Sequence, residues 1–363
     1  MDFVSQQKSL EDHFIFQSSG TTGNPKWVAL SHRALEVSAQ SVNKHLELSS
    51  KDIFGLALPD FHVGGFGLIE RARVAGATLK KYPQDQSWNA LSFHKWLVEE
   101  RISVTSLVPA QVFDLEKAQL KAPSTLKNIV VGGGALPAPL YFAARTLGWP
   151  LLISYGLTEC ASQVATAGLS SLKTPPEEKI WPDAELLSHF EAQAMSHQVV
   201  ALSGESLLSC YIKEETSSIF VEDPKENGLF ILPDKVELCG RVLSVSGRRE
   251  DEYKILGEWV RWSFLKKTFA ELFYESSSRK GFKEDSFFKF EIEIFSDDRR
   301  GNKIALLCNE FDENARKLVS TFNAVVFPFE RITHYYEGNL PRSELGKVLR
   351  LKINPLCLKE ISE

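Results

Sequence analysis

The sequence has 363 residues, of which 43% are hydrophobic and 25% charged. These proportions are typical of globular proteins and exclude a disordered or fibrous chain, and the length suggests two or three domains. The net charge of −5 argues against a dedicated nucleic-acid binder, which usually has an excess of basic residues. We see no signal-peptide pattern and no apolar run near the ~18 residues of a membrane span, so we expect a cytoplasmic protein.

Five cysteines are scattered along the chain, and no two of them form a CxxC pair. A disulfide framework or a structural zinc site would need an even or clustered set. We therefore expect reduced thiols, which suits a cytoplasmic location.

Short apolar segments recur along the first half of the chain, and several end in turns rich in glycine or serine. The segment 14–17 predicts a strand, and Ser31 is a plausible N-cap for the helix that follows. Further strand-like runs lie at 53–59, 104–109, 128–134 and 151–156, and a helical pattern lies at 88–100. Alternating strands and helices predict an α/β fold with parallel βαβ units, which bind ligands at the carboxyl ends of the strands.

The sequence changes character after this alternation. Short strand-like pieces with several prolines predict a smaller β-rich part at 170–246. An alternating pattern at 288–295 and a helical pattern at 313–322 predict a separate, small α+β domain. We place the boundary so that a large domain covers 1–248 and a small domain covers 249–363.

The segment SSGTTGNPK at 18–26 combines two glycines, four hydroxyl groups and one lysine. Gly20 and Gly23 let the backbone approach a ligand closely, while hydroxyl and amide groups suit anionic oxygens and Lys26 adds a positive charge. The segment lacks the GxxxxGK[ST] pattern, which excludes a P-loop NTPase. The alternative is a plain surface loop, because turn-forming residues cluster in such loops.

Extended to SSGTTGNPKWVALSH, this segment resembles the signature loop of the adenylate-forming superfamily, which includes acyl-CoA ligases, luciferases and peptide-synthetase adenylation domains. The resemblance implies a large N-terminal α/β body with a small, mobile α+β lid, and a loop that holds the β- and γ-phosphates of ATP. Trp27 departs from the family, which usually has glycine there. The loop residues that would bind ATP are Ser18, Ser19, Gly20, Thr21, Thr22, Gly23 and Lys26.

Two further segments resemble motifs of the same superfamily. In LPDFHVGGFG at 58–67, His62 takes the place of a gating residue at the acyl pocket. VGGGALP at 131–137 resembles the loop that lines the adenine and acyl pockets through Gly133 and Gly134. Each segment also has a plain structural interpretation, as a satisfied histidine beside a glycine turn or as a strand-to-helix turn.

YGLTE at 155–159 resembles the next core motif of the superfamily. The resemblance implies that Tyr155 packs on adenine beside Gly156, that Thr158 contacts the α-phosphate, and that Glu159 helps to hold Mg²⁺. A carboxylate suits that role because a hard cation that bridges phosphates prefers oxygen ligands.

The last motifs lie towards the C-terminus. GLFILPD aligns with a family segment that ends in TGD, and it keeps the carboxylate at Asp234, which would accept hydrogen bonds from the ribose. SGRREDEYKILG resembles the hinge motif, in which Arg248 would also contact the ribose and Glu250 would be the hinge residue. LPRSELGKVLR resembles the segment with the catalytic lysine, here Lys347, whose alternative role is that of an exposed basic residue.

A narrower resemblance concerns the acid. The segments at 106–115 and 155–166 are similar to those of 2-succinylbenzoate–CoA ligases of menaquinone biosynthesis, and in that case Ser162 and Gln163 would face the acid. The resemblance implies an ATP-dependent ligase that forms an acyl-adenylate and transfers the acyl group to CoA, with Mg²⁺ as cofactor.

Other functions remain open. They are a CoA ligase for another aryl or acyl acid, a stand-alone adenylation enzyme that loads a carrier protein, and a non-catalytic nucleotide-binding relative. Trp27 and the altered TGD motif favour the last of these. Relatives have a substantial segment before the phosphate loop, which begins here at Ser18, so we expect a homodimer or a more open acid pocket.

Overall fold

The structure is a computed structural model. It describes residues 10–18, 26–83, 88–196, 198–215, 218–249, 252–256, 258–278, 290–297, 301–342, 348–349 and 352–361. The predicted site residues outside these ranges are Ser19, Gly20, Thr21, Thr22, Gly23, Glu250 and Lys347. Ser18 and Arg248 are placed by their backbone alone.

The chain divides into two compact units. The first comprises Met1–Leu136 and Phe142–Val245, and the second comprises Pro137–Tyr141 and Ser246–Glu363. The proposed domain boundary between 248 and 249 stays a prediction.

Seven α-helices and twenty-two strands form the regular structure of the described residues. The helices are α1 (His32–His45), α2 (Val63–Ala75), α3 (Ala90–Glu99), α4 (Pro109–Lys117), α5 (Ala138–Thr146), α6 (Trp262–Ser278) and α7 (Glu313–Val325). The first strands are β1 (His13–Ser18), β2 (Lys26–Ser31), β3 (Ile53–Leu56), β4 (Thr78–Lys81), β5 (Val104–Leu107), β6 (Asn128–Val131), β7 (Leu151–Leu157) and β8 (Ser162–Ala167). The middle strands are β9 (Ala184–Leu186), β10 (Glu191–Ser196), β11 (Val199–Ser203), β12 (Cys210–Glu215), β13 (Ser218–Glu222), β14 (Phe230–Ile231), β15 (Asp234–Cys239) and β16 (Val242–Arg248). The last strands are β17 (Glu252–Ile255), β18 (Glu258–Arg261), β19 (Phe290–Asp297), β20 (Gly301–Cys308), β21 (Ile332–Glu337) and β22 (Lys359–Glu360).

A nine-stranded sheet is the centre of the first unit, with the strand order β15-β16-β9-β8-β7-β6-β5-β3-β4. The half from β4 to β7 is parallel, which confirms the predicted βαβ units. The pairs β7–β8, β8–β9 and β9–β16 are antiparallel. Because the parallel strands end at one edge, the turns that follow β5, β6 and β7 lie on the same side of the sheet.

Local sequence explains the elements that border this edge. The Oγ atom of Ser31 accepts a hydrogen bond from the amide of Ala34 at 3.1 Å, which confirms the predicted cap of α1. β5 and β6 are buried along their whole length and, apart from Asn128, consist of apolar or small residues, as is typical of strands covered on both faces.

Two smaller antiparallel sheets complete the first unit. One has the order β1-β2-β12-β13 and the other has the order β10-β11-β14. Side chains of both sheets share one core, which includes Phe16, Val28 and Leu202. Cys160 and Ala161 belong to the same core, so packing against this core holds the turn after β7 in place.

The second unit contains the hairpin β17–β18, the sheet β19-β20-β21-β22 and the helices α6 and α7. Its core includes Phe269 of α6, Ile292 and Leu306 of the sheet, and Phe322 of α7. The patterns at 288–295 and 313–322 correctly predicted β19 and α7. Among the described residues, no helix has both the length and the hydrophobicity to cross a membrane.

Candidate active site

The YGLTE segment ends β7 and continues into a 3₁₀ turn at Thr158–Cys160. The chain then reverses through Ala161 and Ser162, which have positive φ angles of 50° and 93°. Such conformations cost energy for residues other than glycine and persist where the surroundings fix them. Here the buried Oγ atom of Ser38 donates a 2.9 Å hydrogen bond to the carbonyl of Ala161. A Cβ atom on Gly156 would lie 1.9 Å from the carbonyl oxygen of Ser162, so glycine is required there.

Tyr155 and Asp234 come together in space. The phenol of Tyr155 donates a 2.6 Å hydrogen bond to Oδ2 of Asp234, the first residue of β15. Asp234 is 5% exposed. A short bond to a carboxylate is among the stronger hydrogen bonds in proteins. The two residues predicted to bind adenine and ribose are therefore direct neighbours.

Glu159 and Lys26 both lie beside Tyr211, which the sequence analysis did not single out. The phenol of Tyr211 donates to Oε1 of Glu159 at 3.0 Å, and the ammonium of Lys26 lies 5.1 Å from the centre of its ring. Burial and the neighbouring Glu159 raise the pKa of Tyr211, so its hydroxyl stays protonated and can donate. The structure thus brings together residues predicted for phosphate and for magnesium.

A small cavity is lined by residues of the same turn. Its polar lining comes from α1, α2 and the start of β8, and consists of Ser38, Arg71, Ser162 and Gln163. Gln163 is 5% exposed, and its amide donates to Oγ1 of Thr166 at 2.7 Å. The predicted acid-facing residues Ser162 and Gln163 therefore line a common space.

Arg71 is the residue of this cavity that sequence reasoning missed. Its side chain is 3% exposed, and burial lowers its pKa to about 10. Nη2 donates to Oγ of Ser106 at 3.0 Å and Nε to the carbonyl of Gly67 at 3.2 Å. Nη1 is buried and has no hydrogen-bond partner among the described residues. A signal existed in the sequence, because Arg71 is a charged residue in a segment rich in glycine and apolar side chains.

A buried guanidinium is normally paired with a carboxylate. The adjacent Glu70 is not the partner of Arg71, because its Oε2 atom pairs with Nε of Arg73 at 2.9 Å. In the part of the chain that the structure describes, Arg71 forms no ion pair. The guanidinium of Arg71 therefore has one donor to spare, beside a cavity of about 10 Å³ that has room for roughly one water molecule.

Three other predicted residues, His62, Gly133 and Gly134, belong to the first unit. His62 occupies the N-cap position of α2, and its ring lies 4.6 Å from that of Phe61. It is not among the residues that line the cavity. Gly133, with a φ angle of 77°, and Gly134 lie in the turn after β6, against Val108 and Pro109.

No group of three or more histidine, cysteine, aspartate or glutamate side chains that could hold a metal ion occurs among the described residues. A cage made of protein ligands is thus absent from that part of the chain. A single carboxylate such as that of Glu159 is compatible with Mg²⁺, which commonly takes one or two carboxylates and completes its shell with phosphates and water.

Comparison with known proteins identifies the family. Residues 5–185 match the family described as AMP-binding enzyme. The chain belongs to the AMP-binding enzyme family. Two curated relatives of this AMP-binding enzyme are 2-succinylbenzoate–CoA ligases. The one from Bacillus mycoides (strain KBAB4) is 32% identical over 167 residues, and the one from Geobacillus kaustophilus (strain HTA426) is 30% identical over 154 residues. The alignments cover 45% and 42% of this chain but 34% and 31% of the relatives, so the chain spans about a third of their length.

Solved structures agree with this assignment of the fold. O-succinylbenzoate CoA synthetase from Bacillus subtilis, in complex with the acyl-adenylate intermediate OSB-AMP, matches 93% of this AMP-binding enzyme and 68% of its own chain, with a TM-score of 0.73 and 22% identity. The same synthetase in complex with ATP and magnesium ion matches 93% and 69%, with a TM-score of 0.71 and 20% identity. Identities this low show the fold alone. The predicted α/β fold of adenylate-forming enzymes is confirmed.

Proposed function

We propose that this protein is an ATP-dependent acid–CoA ligase that acts through an acyl-adenylate, and that its acid is 2-succinylbenzoate. One observation carries the proposal: a single segment, 155–163, contacts two different sites. Tyr155 and Glu159 contact Asp234 and Tyr211 on the nucleotide side. Ser162 and Gln163 line the cavity of Arg71. A turn that contacts both the predicted nucleotide-binding residues and a cavity lined by a buried arginine supports a reaction that joins an acid to the α-phosphate of ATP.

The chemistry joins two anions, so the protein must neutralise charge and align the reactants. Lys26, with the segment 18–25, would hold the β- and γ-phosphates. Thr158 would contact the α-phosphate, and Asp234 would accept hydrogen bonds from the ribose. Glu159 would hold Mg²⁺, which neutralises phosphate charge when bound.

The acid carboxylate then attacks the α-phosphorus, and pyrophosphate leaves. Lys347 would contact the oxygens of the carboxylate and the α-phosphate during this step. Arg248 would assist at the ribose. In the second step the CoA thiolate attacks the acyl-adenylate, AMP leaves, and the small domain would turn about Glu250 between the two steps.

Arg71 supports an acid with a second carboxylate. One carboxylate of 2-succinylbenzoate reacts with ATP, and the other would pair with the guanidinium through the unbonded Nη1. Ser162 and Gln163 would add hydrogen bonds to the keto acid. Removal of a charge-assisted bond of this kind costs about 1.5–3 kcal/mol, or roughly 10–100-fold in affinity.

The test compares acids with and without the second carboxylate. Pyrophosphate release is measured with MgATP, CoA and either 2-succinylbenzoate or 4-oxo-4-phenylbutanoate, which lacks only the ring carboxylate, for the wild type and Arg71→Met. We expect kcat/KM to be roughly 100-fold higher for 2-succinylbenzoate in the wild type, with most of that preference lost in the variant. Equal use of 4-oxo-4-phenylbutanoate would favour a ligase for another aryl acid. The cytoplasmic location and the homodimer stay predictions from sequence.

A further inference from the structure

We propose that Tyr211 is a positioning residue that orients the carboxylate of Glu159 towards the magnesium ion. The inference rests on the proposed function, in which Glu159 holds that ion. The relevant geometry belongs to one strand, β12, and to the 3₁₀ turn after β7.

Tyr211 engages only one of the two carboxylate oxygens. Its phenol donates to Oε1 of Glu159 at 3.0 Å, and Oε2 has no hydrogen bond to any described residue. One oxygen is held by the protein, and the other is available to a cation. Carboxylates that bind metals are commonly oriented in this way by a second hydrogen bond.

The strand that carries Tyr211 also holds the backbone of Glu159. The amide of Leu208, just before β12, donates a 2.8 Å hydrogen bond to the carbonyl of Glu159. The backbone and the side chain of Glu159 are thus both held by the segment that contains Leu208 and Tyr211. Tyr211 and Glu159 are 52 positions apart in the sequence.

Tyr211 itself has little freedom to move. It is 8% exposed, and β12 pairs it with Val28 of β2 and with Glu222 of β13. Its ring belongs to the core of the first unit. The hydroxyl is therefore held at a fixed place, which a positioning role requires.

The ring and the hydroxyl of Tyr211 have separable contacts. The ring lies 5.1 Å from the ammonium of Lys26, whereas the hydroxyl bonds Glu159. Tyr211→Phe removes only the hydroxyl and keeps the ring, the core packing and the contact with Lys26. This substitution consequently isolates the effect on Glu159.

The experiment measures ATP binding by calorimetry as a function of magnesium concentration, and again in EDTA. In Tyr211→Phe we expect half-saturation to need roughly 10-fold more magnesium, with unchanged ATP affinity in EDTA. Tyr82→Phe is the matched control, since Tyr82 is also 8% exposed and its ring packs against Phe93 and Trp96. This control should keep the magnesium dependence of the wild type.

A double variant separates positioning from general loss of structure. In a Glu159→Gln background, removal of the Tyr211 hydroxyl should cause no further shift in the magnesium dependence. A wild-type magnesium dependence in Tyr211→Phe, or equal weakening in EDTA, would overturn the positioning role. If ATP binding by the wild type is independent of magnesium, or if Glu159→Gln has no effect, the proposed function fails instead. Thermal unfolding of Tyr211→Phe is measured alongside, and its ATP affinity in EDTA reports directly on whether the nucleotide site is intact.

Discussion

The phenol of Tyr155 donates a 2.6 Å hydrogen bond to Oδ2 of Asp234, across 79 positions of sequence. The bond fixes the direction of the aromatic ring relative to the carboxylate. Any nucleotide that uses Asp234 as an acceptor for its ribose meets a ring that is already placed. Pre-placed groups of this kind reduce the entropy lost when a ligand binds.

The first prediction concerns this pair. Asp234→Ala should weaken AMP binding by roughly 10–100-fold, because a charged acceptor is lost, and Tyr155→Phe should weaken it less, because the ring remains. Calorimetric titration with AMP measures both. Asp60→Ala is the control, since Asp60 pairs with Lys81 on the surface and should not affect AMP. Equal AMP affinity for Asp234→Ala and wild type would contradict the assignment.

The second prediction concerns stability at Arg71. A buried charge without a partner costs free energy, so Arg71→Met should leave the free energy of unfolding unchanged or raise it by about 1–4 kcal/mol. Arg73→Met is the matched comparison and should lower the free energy of unfolding, because it removes the ion-pair partner of the buried Glu70. Urea unfolding at neutral pH measures both variants. A loss of stability in Arg71→Met would show that the guanidinium is already compensated in the free protein.

The third prediction concerns pH and His189. Its ring packs on Phe190 at 4.2 Å, both ring nitrogens are buried without partners among the described residues, and burial lowers its pKa to about 4. The unfolded chain, with a pKa near 6.5, binds the proton more readily, so stability is lost as the pH falls from 6.5 to 4.

This loss should amount to about 3 kcal/mol, at 1.36 kcal/mol for each pKa unit. His189→Leu should lack that part of the pH dependence while keeping the rest. Urea unfolding of both proteins at about pH 7, 5.5 and 4 measures it, because these conditions span the interval between the two pKa values. Identical slopes would refute the assignment to His189.

The fourth prediction concerns the turn between the two sites. Gly156→Ala should destabilise the protein by about 1–3 kcal/mol and weaken AMP binding, because the new Cβ would lie 1.9 Å from the carbonyl of Ser162. Gly64→Ala is the control, since a Cβ there meets only a side-chain carbon of Leu58 at 3.7 Å. Unaltered thermal unfolding in Gly156→Ala would mean that the turn shifts without cost.

The sequence was informative where local physics decides the structure. Apolar runs predicted β5 to β7, and Ser31 predicted the start of α1. The helix α2 was not predicted, because its three glycines lower helix propensity. Packing explains one of them, since a Cβ on Gly65 would lie 2.1 Å from the carbonyl of Pro59.

The residues of the candidate site fall into two groups, those that short motifs identify and those that only long-range contacts reveal. Motif order identified Tyr155, Glu159 and Asp234, whose resemblance to a family lies within short segments. Arg71 and Tyr211 were missed because their roles depend on contacts with Ser106 and Glu159, which are 35 and 52 positions away. Such contacts become visible only when the fold brings α2 beside β5 and β12 beside the turn after β7.

The most direct test of the central claim is pyrophosphate release by the purified protein with MgATP and 2-succinylbenzoate, with and without CoA. The account predicts CoA-dependent turnover that yields AMP and the CoA thioester, and that Lys347→Ala abolishes. Nucleotide binding by calorimetry should survive in that variant. ATP binding without pyrophosphate release, for 2-succinylbenzoate and for a panel of other carboxylic acids, would contradict the account and indicate a non-catalytic nucleotide-binding protein.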